Sequence, residues 1–303
     1  MVDLPAPGTR VSLRYRLPDG AVPPHTDVVG HLMDVGTTVR VRNRHGDVVD
    51  VAAADVLAVR VVPEIPVRTG GIRNLEHAAA LGWPGVEQHW LGGWLLRYGL
   101  GNTRRANSAV PLRFTSHAEV VAAADWYAAR GVPALISAPD RLFRVPDAVP
   151  VDAENLVMAG DLDDAVAVPE MTLTARPSGS WRRINQRDVP DEVLTAVVDG
   201  VVVFGELADA AVGRAVVTEA PDGTRWVGVS AVHVADEARR QGLARTLCAG
   251  LLGWGRDHGA TRAYVQVVAD NTAARALYES MGFVVHHRSR YVRAEDLLER
   301  PPS

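Results

Sequence analysis

The chain has 303 residues, 47% hydrophobic and 22% charged, with a formal net charge of −4. That is the composition of a globular protein of two or three domains, and it excludes a disordered or fibrous chain and gives no global bias towards nucleic acid. A lone cysteine, Cys248, excludes an intrachain disulfide and suits a reducing compartment.

Met1-Val2-Asp3-Leu4-Pro5 has neither the basic nor the apolar region of a signal peptide. No apolar run approaches the ~20 residues that span a bilayer. The expectation is a soluble, cytoplasmic protein without a membrane partner.

Residues 9–62 read as short strands. Val11-Ser12-Leu13-Arg14-Tyr15 puts Val11, Leu13 and Tyr15 on one face, and Thr38-Val39-Arg40-Val41-Arg42 puts valines on one face and arginines on the other. Asn43-Arg44-His45-Gly46-Asp47 supplies turn residues before Val48-Val49-Asp50-Val51. Four or five such strands in so short a span predict a small antiparallel barrel over 1–66. The prolines of Val62-Pro63-Glu64-Ile65-Pro66 mark its boundary.

Residues 67–170 read as α/β: a helix over 72–81, a turn at Gly82-Trp83-Pro84-Gly85 and a strand at Trp94-Leu95-Leu96-Arg97-Tyr98. A helix follows over 116–131, capped by Ser116 and stopped by Gly131, and then the strand Val132-Pro133-Ala134-Leu135-Ile136. Residues 171–303 repeat this pattern. Strands are predicted at 170–175, 201–207, 211–217, 226–234, 262–268, 283–286 and 288–293, and helices at 242–258 and 272–280. Both stretches run strand, helix ending at glycine, strand, which points to a degenerate internal duplication. The fold class is α+β.

The most informative segment joins the strand Val227 to Val234 to the helix whose apolar face is Leu243, Ala244, Leu247, Cys248, Leu251 and Leu252. Between them lies Arg239-Arg240-Gln241-Gly242-Leu243-Ala244. A helix N-terminus has unpaired N–H groups and the positive end of the helix dipole. Small residues at Gly242 and Ala244 let a pyrophosphate approach that backbone closely, without a metal or a lysine. Arg239, Arg240 and Arg245 are available for charge-assisted contacts. An ordinary strand–loop–helix connection with a solvated arginine face is the plainer alternative.

The run from Val232 through Arg239-Arg240-Gln241-Gly242-Leu243-Ala244-Arg245, followed by Asp270-Asn271-Thr272-Ala273-Ala274-Arg275-Ala276-Leu277-Tyr278 and Met281-Gly282-Phe283, resembles the GNAT superfamily of acetyl-CoA-dependent N-acetyltransferases. The likeness covers about a third of the chain, residues 200–293. It implies a GNAT-type mixed sheet with flanking helices, in tandem if the middle region is a degenerate half. It also implies acetyl-CoA as co-substrate, no metal, and acetyl transfer to a primary amine on a small molecule or on a protein lysine or N-terminus, with a catalytically silent CoA-binding regulatory protein that kept the fold as the alternative. By the same resemblance, Val232, His233 and Val234 hold the pantetheine arm, and the N–H groups of Arg240 through Arg245 hold the pyrophosphate.

Asn271 is implied as a cofactor contact, with a plain helix cap as the competing role. Ala274 leaves room for the cofactor arm one turn before Tyr278. Tyr278 is the implied general acid, protonating the CoA sulfur as it leaves. A backbone N–H on the 226–234 strand is the implied oxyanion donor. For the base, Glu206, Glu219, His233 and water alone remain open. Two positions depart from the family pattern: Arg240, where a small residue is usual, and Val234, where proline is common.

Trp83, Trp90 and Trp94 are expected in the core, with a wall of the acceptor cleft as the alternative role for this region. Trp94-Leu95-Leu96-Arg97 and Thr103-Arg104-Arg105-Ala106-Asn107-Ser108 resemble GNAT proteins with an extra N-terminal α/β half, often preceded by a small SH3-like barrel. Residues 1–66 match that place. The barrel has arginines at 40, 42 and 44 but interspersed aspartates and no aromatic stacking platform, which argues against a nucleic-acid partner. Packing or dimerisation is its expected role, which leaves a homodimer open.

Overall fold

Alternating valines build the first unit as the sequence pattern predicts. The described residues are 2, 4–18, 20–43, 46–62, 67–162 and 171–299 of a computed structural model, and they fall into two units, Met1–Pro66 and Val67–Ser303. In the first unit they form a five-stranded antiparallel sheet: β1 (Arg10–Arg16), β2 (His25–Val35), β3 (Thr38–Asn43), β4 (Val48–Ala52) and β5 (Val56–Val61), in the order β4-β3-β2-β1-β5. Val11, Leu13, Val39 and Val41 are fully buried, and Tyr15 packs against them.

The edge strands β4 and β5 are joined by a 3-10 turn of only three residues, Ala53–Asp55, so the sheet curls until its edges meet at that corner. Its outer arginines are paired across strands: Arg14 with Asp27 (2.8 Å) and Arg40 with Asp50 (3.0 Å). Such exposed pairs add little stability. Arg44, His45 and Pro63 to Pro66 lie outside the described residues.

The second unit runs α1 (Thr69–Gly82), β6 (Glu87–Leu91), β7 (Trp94–Tyr98), β8 (Ala109–Pro111), α2 (Glu119–Ala128), β9 (Leu135–Pro139), β10 (Ala153–Asp161) and β11 (Thr172–Thr174). It continues with α3 (Gly179–Asn185), α4 (Asp191–Leu194), β12 (Val201–Leu207), β13 (Ala211–Glu219), β14 (Arg225–Val234), α5 (Leu243–Asp257), β15 (Arg262–Val268), α6 (Thr272–Glu279), β16 (Val284–Arg293) and α7 (Ala294–Glu299). The described strands form a single eleven-stranded mixed sheet, β11-β12-β13-β14-β15-β10-β16-β9-β8-β7-β6.

That order contains the duplication. β6, β7 and β8 are antiparallel, α2 follows, and β9 returns parallel to β8; β12, β13 and β14 are antiparallel, α5 follows, and β15 returns parallel to β14. The last strands are exchanged: β10 pairs with β15, β16 pairs with β9, and β10 and β16 pair with each other at the centre. Residues 67–170 and 171–303 therefore share one sheet. A strand expected from residue 170 is described only as Thr172–Thr174, Glu170 lying outside the described residues.

The central strands are covered on both faces. Leu156 and Met158 of β10 pack with Leu247, Cys248 and Leu251 of α5, while Val157 and Ala159 pack with Leu75 and Ala78 of α1. The glycines of α5 set its approach: a Cβ at Gly255 would lie 2.5 Å from Val227 Cβ. On the other face Glu76 of α1 meets His287 of β16 at 2.8 Å, both nearly fully buried.

Three local expectations are corrected. Ser116 caps nothing: α2 begins at Glu119, whose carboxylate accepts the Ser116 N–H at 3.0 Å. The strands expected at 283–286 and 288–293 are one strand, β16, carrying a register shift opposite Val157 and Met158. Of the three tryptophans, Trp94 and Trp83 are core as expected, Trp83 lying under Arg214 at 4.1 Å, but Trp90 is at the surface with Arg113 over its ring.

Arg214 of β13 is fully buried among carbonyls. Its Nε donates to Leu194 O (2.7 Å), and Nη2 donates to Gly82 O (2.8 Å) and Ala196 O (3.1 Å), tying α1 and the end of α4 to the sheet. Burial pushes its pKa down to about 9, so it stays charged at neutral pH. Replacing it by leucine strands three buried acceptors. Arg214→Leu is expected to lower unfolding free energy by about 3 kcal/mol in urea denaturation; a loss under about 1 kcal/mol would mean these bonds carry no net stability.

Candidate active site

β14 and β15 run parallel and hydrogen-bonded from Trp226 to Val229 against Arg262 to Val265, and then separate. Residues 230–234 and 266–268 have no partner in each other, so a slot opens between neighbouring strands. A bulge sits at its mouth. Val212 faces His233 and Arg214 faces Ser230, so β14 carries one residue more than β13 across that interval, and Ala231 takes a left-handed φ of +52°.

The bulge decides which side chains face where. Trp226 points to the α1 face, and Ser230, four residues on, shares it. Simple alternation would send His233 to the α5 face. The extra residue reverses this: Val232 and Val234 pack against the α5 core, and His233 joins Ser230 in lining the cleft.

The cleft occupies about 300 Å³ and passes through the slot. On the α5 side it is lined by Asn271, Ala274 and Tyr278. On the other side lie Ser230, His233, Gln266, Asn155, Asn185 and Arg187, with Thr103, Arg104 and Arg105 from the first half. The middle region thus forms a wall of the cleft, and it does so through its arginine loop more than through its tryptophans. Buried Arg97 holds that loop by bonds to Ser108 O (3.2 Å) and Ser108 Oγ (2.9 Å). Asn107 Oδ1 accepts from Gly99 N and Gly101 N, both at 3.1 Å. Arg105 then reaches β15, Nε to Gln266 Oε1 (2.7 Å) and Nη2 to Gln266 O (2.6 Å).

The loop before α5 has the form of an anion cradle. Arg240 (φ +63°) and Gly242 (φ +80°) are both left-handed, with helix starting at Leu243. No side chain caps α5, no acidic residue stands in its first turn, and the space where a Gly242 Cβ would lie is open. Backbone N–H groups around residues 241–244 are therefore available to an acceptor. The corresponding start of α2 is closed to one, since Glu119 holds that position with a carboxylate. Arg240 in place of a small residue carries a cost, because left-handed backbone costs a side-chain-bearing residue about 1–2 kcal/mol.

The other arginines are engaged. Arg239 pairs with Asp236 (2.6 Å), and Arg245 Nη2 donates to Ser280 O (3.1 Å) at the end of α6. Gln241 and Arg240 are exposed, while Leu243 and Ala244 are half-buried. Asn271 does cap α6, its Oδ1 accepting Ala274 N–H at 3.0 Å, and its amide lies at the cleft.

Tyr278 is buried against Cys248 and Phe283, and burial holds its phenol well above the ordinary value. Of the three candidate bases, only His233 lines the cleft. Glu206 is buried on β12 and accepts from Ser180 Oγ, and Glu219 is exposed at the end of β13 beside Arg225. His233 Nε2 and Ser230 Oγ are buried without hydrogen-bond partners. The His233 pKa lies below the ordinary 6.5, chiefly through burial, with Arg239 and Arg187 adding to the fall and Asp236 opposing it. Its imidazole is neutral at pH 7 and can take a proton.

Comparison with known proteins agrees with this architecture. A family profile described as "Probable histone acetyltransferase Rv0428c C-terminal" matches residues 69–292, and one described as "Rv0428c N-terminal Sm-like domain" matches 5–60. The small barrel is thus described as Sm-like, where the sequence likeness implied SH3-like. The probable histone acetyltransferase Rv0428c of Mycobacterium tuberculosis is 46% identical over 299 residues, 98% of either chain. YobR of Bacillus subtilis, an uncharacterized N-acetyltransferase, is 25% identical over 256 residues, 73% of this chain and 99% of its own. A solved GCN5-related N-acetyltransferase from Kribbella flavida shares the fold, with a TM-score of 0.53 and 18% identity over 75% of this chain and 96% of its own. With its tandem sheet, its helix-start cradle and a relative so close over its whole length, this chain belongs to the Rv0428c family of GNAT N-acetyltransferases and is an acyltransferase enzyme.

Proposed function

We propose that the protein moves the acetyl group of acetyl-CoA to a primary amine, with His233 as general base and Tyr278 as general acid on opposite sides of the β14–β15 slot. The observation that supports this reading is that His233, whose buried Nε2 has no hydrogen-bond partner among the described residues, lines the same cleft as Tyr278. The residues fit the cofactor. Backbone N–H groups of Arg240 through Arg245, with Gly242 at their centre, hold the pyrophosphate, and free Arg240 adds charge. Val232 and Val234 lie where β14 has parted from β15 and offer that strand edge to the pantetheine arm, and Ala274 leaves room for it.

Acetyl-CoA supplies an activated thioester when bound. The amine nitrogen forms the new bond to the acetyl carbon as the carbon–sulfur bond breaks. His233 Nε2 takes the amine's proton, backbone N–H groups at the Ala231 bulge meet the charge growing on the acetyl oxygen, and the Tyr278 hydroxyl donates to the departing sulfur. The acceptor is a small-molecule amine or a protein lysine or N-terminus; the relative from M. tuberculosis bears the name of a probable histone acetyltransferase.

A base that must be neutral predicts the pH dependence. Because burial lowers the His233 pKa, the acid limb of kcat should have its midpoint below 6.5. His233→Gln should remove that limb and lower kcat roughly 100-fold. Thiol release from acetyl-CoA measured across pH 4.5–8 reads both (a range of about that width brackets the ordinary histidine value). A limb that survives unchanged in the variant would take the base role from His233.

A further inference from the structure

We propose, resting on the transferase reading, that the amine acceptor carries an anionic group, a carboxylate or phosphate a few bonds from its nitrogen, received by Arg187 beside Arg105. The cleft wall facing away from α5 bears Arg104, Arg105, Arg187 and His233, and among the described residues no aspartate or glutamate lines the cleft. An acceptor that arrives as a bare ammonium would meet arginine side chains and no carboxylate among the described residues that line the cleft. The chain as a whole is acidic, at −4, so this concentration of arginine is local.

The arginines differ in what they already hold. Arg104 is neutralised by Asp152 at 2.7 Å, and Arg105 commits Nε and Nη2 to Gln266. Arg187, exposed at the cleft, has no ion pair or side-chain hydrogen bond among the described residues. Its placement is fixed. Ser178 caps α3 by accepting Trp181 N–H at 3.0 Å, Trp181 Nε1 donates to Gly213 O at 3.0 Å, and the left-handed Gln186 (φ +57°) turns the chain so that Arg187 enters the cleft. Its charge is near enough to help depress both His233 and Arg105. Like charges held together at a cleft mouth are relieved by a bound anion, and a guanidinium fork matches a carboxylate or phosphate. The face beside His233 is also separate from the helix-start cradle of α5, so this cation does not serve the cofactor's pyrophosphate.

The test compares matched acceptors at saturating acetyl-CoA, with thiol release as readout: β-alanine against its amide, 2-aminoethyl phosphate against ethanolamine, and a lysine peptide flanked by glutamates against one flanked by arginines. The anionic member of a pair should have a kcat/KM about tenfold or more above its partner, the ratio one good charge-assisted contact supplies. Whether the free amino acids or the peptide show that ratio tells which source the site takes. Arg187→Gln should bring the ratio near one and Arg187→Lys should keep part of it, with acetyl-CoA binding in calorimetry reporting that either variant is folded. Equal use of both members, preference for the arginine-flanked peptide, or a ratio unmoved in Arg187→Gln would overturn the proposal while leaving the transferase reading intact. Release with none of the six would overturn the transferase reading and the proposal with it.

Discussion

Gly242→Glu is expected to abolish acetyl-CoA binding, with a loss of at least about 1,000-fold in affinity. Two costs add. A side chain at φ +80° carries the left-handed penalty of about 1–2 kcal/mol. A carboxylate some 4 Å from the pyrophosphate adds repulsion on the order of 4 kcal/mol at a partly screened site. Gly242→Ala separates them: no atom lies within 4 Å of its new Cβ, so only the backbone penalty applies and affinity should fall about fivefold to thirtyfold. Calorimetric titration of both variants gives the comparison. Wild-type affinity in Gly242→Glu would move the cofactor away from α5.

Tyr278→Phe should lower kcat by about 100-fold while leaving acetyl-CoA affinity within about twofold. The ring is buried against Phe283 with centroids 5.7 Å apart, and phenylalanine preserves that packing. Only the hydroxyl, which bonds the buried Cys248 thiol, is lost. Burial raises the Tyr278 pKa, so the phenol keeps its proton throughout the neutral and mildly alkaline range, and its ionisation should produce no fall in kcat below pH 10. Retained turnover in the variant would remove Tyr278 from the reaction; a large fall in cofactor affinity would recast it as a binding residue.

What the sequence made legible was local. The cradle at 239–244 needs only a strand, a glycine and a helix start, all contiguous, and the barrel valines needed only alternation. The repeat of strand, helix and strand pointed to the duplication, although the exchange of β10 and β16 between halves involves pairings over more than a hundred residues that no short window contains. The helices α3 and α4 passed unseen, since seven and four residues are too short to show a helical period.

That His233 lines the cleft, and Glu206 and Glu219 do not, turned on a bulge at Ala231, an alanine in a left-handed conformation with no glycine to announce it. Without that bulge, strand parity sends His233 towards α5. Arg105 and Arg187 come from segments far from the motif and reach the cleft only through the fold. The pattern Thr103-Arg104-Arg105-Ala106-Asn107-Ser108 did carry a signal, but one that mixes loop-holding Asn107 and Ser108 with cleft-facing Arg105.

The central claim is that the β14–β15 slot transfers acetyl to an amine rather than merely holding the cofactor. The most direct test counts products in one reaction: free thiol released from acetyl-CoA, and N-acetylated amine by mass spectrometry, for the wild-type chain and for His233→Gln. The account predicts one thiol per acetylated amine, and a parallel fall of both in the variant. Saturable acetyl-CoA binding with no acetylated amine formed would contradict it.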